Sequence, residues 1–222
     1  MIKALNVAKF DFLTVKPYSK IFFVLLAVGI IVGLGNQDSY MVPPMFMIWA
    51  SFFVAYPFSI GERNSIENLL GTFSLKRRDI VAGRYIFSLL GVSVATLFAL
   101  ATVYFLSFFF SRSVELKPLL FVTSFGFLIF SLVISFQIPM YFKIGYTKAK
   151  VLTFLPLLVI GFLVPLITLI PSESTIGKLL REFIRLVEVQ QTLACMLFLF
   201  GAFAILLISY HVSVRIYEKK DI

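Results

Sequence analysis

Six stretches of the chain, 21–37, 39–61, 85–111, 118–142, 151–172 and 189–214, contain no Asp, Glu, Lys or Arg. They run from 17 to 27 residues. Each approaches or exceeds the roughly 20 residues that carry a helix across a hydrocarbon core of about 30 Å. Backbone amides cannot be left unpaired in lipid, so such windows must be helices, and the alternating segments of an outer-membrane barrel are absent. The sequence therefore predicts an all-α integral membrane protein with six transmembrane helices, forming a single transmembrane domain over residues 1–222. Composition agrees, with 60% of residues hydrophobic and only 14% charged, where a soluble domain carries about 25% charged residues. The first window is the shortest, and Lys20 is expected to snorkel so that this helix begins near Tyr18. A signal-peptide reading competes there, but its twenty-residue lead-in is long and Asp11 interrupts the run of Lys3, Lys9, Lys16 and Lys20.

Of the 20 Lys and Arg, 15 lie before the first window, after the sixth, or in the loops after the second and fourth. The other five are matched by Asp38, Glu115, Glu173, Glu182 and Glu188, so the whole net charge of +9 belongs to one face. Positive residues are retained on the cytoplasmic side, which predicts a multi-pass chain with both termini and the loops 62–84 and 143–150 in the cytoplasm. Tyr18, Tyr85, Tyr141, Tyr146, Tyr210 and Tyr217 are expected near that inner boundary, where an amphipathic ring is at home. Anionic lipid headgroups account for the basic charge, and no nucleic-acid partner is expected.

The windows hold no Asp, Glu, Lys or Arg, although intramembrane ionisable groups are what proton relays and ion-coupled carriers use. They also lack the paired carboxylates, histidine sets or activated serines of membrane proteases and phosphatases. His211 and Cys195 stand alone, which leaves no metal cluster and no disulfide framework. No G-x-x-x-x-G-K-[ST] loop is present to cradle nucleotide phosphates. The expectation is a chain that is not an enzyme, with no cofactor and no metal of its own.

Between the second and third windows, Asn64 and Glu67 have capping-box spacing, and Ile66, Leu69, Leu70 and Phe73 fall on one apolar face of a short helix. By itself this pattern fits a helix lying on lipid headgroups. Glu62-Arg63, Asn68-Leu69-Leu70-Gly71, Ser74-Leu75-Lys76-Arg77-Arg78-Asp79-Ile80-Val81 and Gly83-Arg84-Tyr85 resemble the corresponding loop of bacterial ABC-2 type transporter permeases. That family typically has an acidic-basic start, a helix ending in Leu and Gly, a Leu-Pro-x-Ser-Arg turn and a basic residue opening the third span. Here Ser74 stands where Pro is usual and Lys76 where Ser is usual. The resemblance implies that segment 62–79 contains a coupling helix that docks on a separate ATP-binding subunit through Glu62, Arg63, Ile66, Glu67, Leu69, Leu70 and Phe73.

Residues 1–20 interleave Lys3, Asn6, Lys9 and Lys16 with apolar side chains and read as a helix in the inner interface. Residues 172–188 carry Ile176, Leu179, Leu180, Phe183, Ile184 and Val187 at helical spacing, which predicts an extracytoplasmic amphipathic helix. The family resemblance implies an elbow helix for the first and a partly re-entrant helix for the second. Gly29 and Gly33 form G-x-x-x-G, a candidate packing face between two chains, and Ala95 and Ala99 repeat the small-residue spacing. Ser124, Ser131, Ser135 and Gln137 give the fourth window a packing seam or a cavity lining.

The resemblance implies the transmembrane permease subunit of an ATP-driven ABC exporter in the bacterial cytoplasmic membrane. It would move an amphipathic or hydrophobic substrate (peptide, lipid or drug) outward by alternating access. Its partners would be two copies of an ABC ATP-binding subunit, which hold ATP and Mg, a second permease chain, identical or related, and membrane lipids. A non-transporting immunity or sensor-associated scaffold is the alternative, using the outer helix as its contact surface.

Overall fold

The computed structural model describes residues 2–18, 20–35, 39–64, 75–111, 113–171 and 174–220. Every regular element among them is helical. In chain order these are α1 (Ile2–Val15), α2 (Lys20–Gly35), α3 (Val42–Arg63), α4 (Arg77–Phe110), α5 (Leu116–Ile144), the single turn α6 (Tyr146–Ala149), α7 (Leu155–Thr168), α8 (Thr175–Val189) and α9 (Gln191–Glu218). Short 3-10 turns precede α3 at Ser39–Met41 and α7 at Leu152–Phe154.

Among the described residues, four helices are long and apolar enough to cross a bilayer: α3 with its 3-10 lead-in, α4, α5 and α9. The first and fifth windows form shorter helices, α2 of 16 residues and α7 of 14. At 1.5 Å per residue these reach only about 24 and 21 Å. The six expected spans thus resolve into four full-length helices and two shorter apolar ones. α4 begins eight residues before its uncharged window, and its 34 residues extend about 51 Å. That length carries its charged first turns beyond any hydrocarbon core. Pro43 and Pro44 open α3, where their missing amides are among those a helix leaves unpaired anyway. α8 starts at Ser174, whose hydroxyl accepts the Gly177 N–H at 3.0 Å.

α5 packs against α9 along its length and against α3 on another side, and α3 also packs on α4. Phe46, Met47, Phe130, Ile134 and Ile138 fill the space between them. Ala95 and Ala99 are buried on α4, as their spacing suggests. A Cβ on Gly29 would strike the Phe46 ring, and one on Gly33 would strike Leu106, so both glycines make close approaches inside the chain, to α3 and α4. On α5, Ser124 and Ser135 donate to carbonyls one turn back. Ser131 and Gln137 are buried with no hydrogen-bond partner.

Candidate functional site

Residues 65–74, which include Ile66, Glu67, Leu69, Leu70 and Phe73, lie outside the described residues, so the site is defined by what holds the two ends of that segment. Glu62 and Arg63 form the last turn of α3 rather than the start of a separate helix, and the Asn64 N–H returns to the Ile60 carbonyl at 3.0 Å. Asn64 therefore closes α3. Glu62 reaches sideways, and its Oε2 accepts the Thr147 N–H at 3.0 Å. That amide belongs to the first turn of α6, where a helix leaves its N–H groups without intrahelical partners. Gly145 makes room for the contact: its φ of +81° suits glycine, and a Cβ there would lie 3.2 Å from the same oxygen. The entry to the segment is thereby tied to the loop that follows α5.

The exit is tied to the end of α9. Nη1 of Arg77 donates to the carbonyls of Tyr217 and Glu218 at 3.0 and 2.6 Å, satisfying acceptors that the helix end leaves open. Arg78 Nε meets Glu218 Oε1 at 2.7 Å. The latter pair is exposed, so screening leaves it little weight.

Beneath these contacts α1 docks on α4, with a smaller contact to α3. Ala4, Val7, Ala8, Asp11 and Val15 form its buried face, while Leu5, Phe10, Phe12 and Leu13 are exposed. Gly83 permits the approach, since a Cβ there would lie 2.6 Å from Val7. Asp11 and Arg84 face each other with side chains only 2% and 5% exposed, and Oδ1 lies 2.9 Å from Nη1. The contact is an ion pair by distance, but the N–H is not aimed at the carboxylate. Asp11 Oδ2 and Arg84 Nε and Nη1 have no aligned hydrogen-bond partner. The guanidinium carbon also stands 4.5 Å from the Phe58 ring centroid, a cation–π contact that joins α4 to α3. Burial raises the Asp11 carboxyl to about 6, against the opposing pull of Arg84.

Several tyrosines expected at the lipid boundary are helix-to-helix contacts instead. The Tyr85 hydroxyl lies 2.6 Å from Ser209 Oγ and 3.0 Å from Ser213 Oγ, and Ser209 donates onward to the Ser135 carbonyl at 2.8 Å. Tyr141 and Tyr217 are buried. A phenol inside a bundle can find partners that a lipid tail cannot provide. Tyr18 does remain exposed. His211 holds its own Leu207 carbonyl at 2.8 Å.

The structure thus places Glu62 and Arg63 at the site with Arg77, Arg78, Asp11 and Arg84. Sequence reasoning missed the Asp11–Arg84 pair, although its signal was present: Asp11 sits in register with Ala4, Val7, Ala8 and Val15 on one face. Among the described residues no group of His, Cys, Asp or Glu could hold a metal ion. The two ends of the segment are tied to the α5–α6 loop through Glu62 and to the end of α9 through Arg77, and α4 also carries the contact with α1.

A family model described as ABC-2 family transporter protein matches residues 7–218. No curated protein and no solved structure matches the chain.

Proposed function

The chain belongs to the ABC-2 family of transporter proteins, and from that premise we propose that it is the permease subunit of an ATP-driven exporter in the bacterial cytoplasmic membrane. Both termini and segment 62–79 face the cytoplasm in this reading. Two copies of a separate ATP-binding subunit carry ATP and Mg, and a second permease chain, identical or related, completes the translocation path. The cargo is amphipathic or hydrophobic, a peptide, a lipid or a drug. ATP-driven closure of the partner pulls on segment 62–79. The spans then re-pack so that the path opens outward, a two-state exchange in which the ligand stabilises one arrangement.

The observation that carries this reading is the anchoring at both ends of the segment. Glu62 on Thr147 and Arg77 on the end of α9 join it to α6 and α9. A helix that merely rested on headgroups would need no such ties. Purification of the tagged chain from its native membrane tests the proposal. An ATP-binding subunit is expected to co-purify in stoichiometric amount, and its ATPase rate should respond to an amphipathic cargo. A chain that purifies from intact membranes with no ATP-binding protein would overturn the exporter reading in favour of a non-transporting scaffold.

A further inference from the structure

A cavity of about 320 Å³ opens between α3 and the linker that joins α5 to α7. On α3 its wall is formed by Phe52, Ala55, Tyr56, Ser59, Ile60 and Arg63. These positions fall at i, i+3, i+4, i+7, i+8 and i+11, which is one continuous stripe of a helix. Polarity changes along it, from the exposed ring of Phe52 through Tyr56 and Ser59 to the Arg63 guanidinium, over about 16 Å. On the facing wall Phe154 lies opposite Phe52 with ring centroids 5.2 Å apart, and Lys150 also lines the cavity.

The linker wall is held in place. Thr153 Oγ1 donates to the Lys150 carbonyl at 3.0 Å and stands 3.1 Å from the Tyr141 hydroxyl. Tyr18, from the turn after α1, closes one side with its ring 5.2 Å from Tyr56. Among the described residues no acidic side chain lines the cavity. Among the described residues neither Arg63 nor Lys150 is paired with a carboxylate. The nearby Glu62 is directed away, onto Thr147.

Two cations, Arg63 and Lys150, in one cavity with the paired rings of Phe52 and Phe154 match a molecule with an anionic head and a hydrocarbon tail. A soluble phosphate would use the first feature and have no need of the second. The stripe ends at the last turn of a helix long and apolar enough to cross a bilayer, which is where phospholipid headgroups lie. We propose that this cavity is a binding site for one anionic glycerophospholipid, with its phosphate on Arg63 and Lys150 and an acyl chain along Phe52 and Phe154. A lipid seated there braces the last turn of α3 against the α5–α7 linker, beside the Glu62 tie. The site does not depend on an ATP-binding partner, so it can fail while the exporter reading stands, and the reverse.

Native mass spectrometry of the purified full chain in detergent tests it, with dioleoylphosphatidylglycerol and dioleoylphosphatidylcholine as probes. Wild type should retain one phosphatidylglycerol in preference to phosphatidylcholine. The double variant Arg63→Gln, Lys150→Gln should lose that preference by roughly tenfold or more. Ser59→Phe fills the cavity while keeping both charges and should lower retention as well, so the site remains testable if the charge pair is needed for folding. Lys143→Gln with Lys148→Gln, on the adjacent cavity, should leave retention unchanged. Equal loss in that control pair means diffuse headgroup attraction and overturns the site. Wild-type retention in both cavity variants does the same. Displacement of the lipid by millimolar glycerol phosphate, which has no tail, would show a site for a free phosphate instead.

Discussion

At the end of the bundle where α1 meets α4, contacts are polar: the ion pair of Asp11 and Arg84, and the hydrogen bonds of Arg77 on the end of α9, Glu62 on Thr147 and Tyr85 on Ser209. The stretch from α7 to α8 is built otherwise. Among the described residues α7 touches α5 and its own lead-in turn, and α8 touches α9. Ile176 and Leu179 on α8 are 66% and 63% exposed. Polar contacts inside a bundle fix one geometry, because every alternative leaves a group unsatisfied. Aliphatic side chains facing outward impose no such choice, and lipid or another chain can cover them equally well. The first region is thus cross-tied by polar contacts between its own helices. The second is built to be covered by something the chain itself does not supply.

Asp11→Leu should break the first region most severely, since it buries the Arg84 guanidinium against an aliphatic side chain that offers neither charge nor hydrogen-bond acceptor, at a cost of about 3–5 kcal/mol. In a Cys195→Ser background, a cysteine at the buried Val7 should change from protected to reactive toward a thiol reagent when Asp11 is replaced. Unchanged protection at Val7 would mean that the small-residue face alone holds α1.

Gly145→Ala should cost less, about 1–3 kcal/mol, because its backbone lies in a region that other residues rarely occupy. The expected signature is faster hydrogen exchange at the Thr147 amide, which Glu62 protects, with the amides of α9 unchanged. Smaller still is the effect of pH. The Asp11 carboxyl is raised from 3.8 to about 6, so its stabilisation is fully present below 3.8 and lost as pH rises through about 6. The melting temperature in detergent should therefore rise when pH falls from 7.5 to 5, and this portion of the rise should vanish in Asp11→Asn. At the far end Ile176→Ser should leave the melting temperature of the isolated chain unchanged, because the side chain is exposed. A large drop there would show that α8 is packed as firmly as α1 and would erase the contrast between the regions.

The helices were legible in the sequence because lipid leaves the backbone few alternatives, and the uncharged windows mark α3, α4, α5 and α9 within a few residues. α8 was legible from its spacing. The extension of α4 to Arg77 was not, since charge marks where lipid ends and not where a helix ends. α1 was visible as a helix, but its docking face was hidden. Large apolar residues drew attention to Phe10, Phe12 and Leu13, whereas the buried face uses Ala4, Val7 and Ala8, which allow close backbone approach. Gly29 and Gly33 were recognised as a close-packing pair, yet spacing cannot say which helix approaches, and it was α3 and α4 of the same chain. Glu62 and Arg63 were singled out from the loop as docking residues, but the Thr147 contact of Glu62 was not legible, because Thr147 lies in a different loop and nothing local links them.

The central claim, that segment 62–79 receives the ATP-binding subunit, is tested most directly by measuring association of that subunit with Leu69→Asp in proteoliposomes. An unpaired carboxylate buried at an interface costs several kcal/mol. Association and ATP-dependent export should both be lost while membrane insertion is retained, and Lys178→Glu on α8 should bind the subunit as wild type does. A Leu69→Asp chain that binds the ATP-binding subunit with wild-type affinity and still exports would contradict the claim.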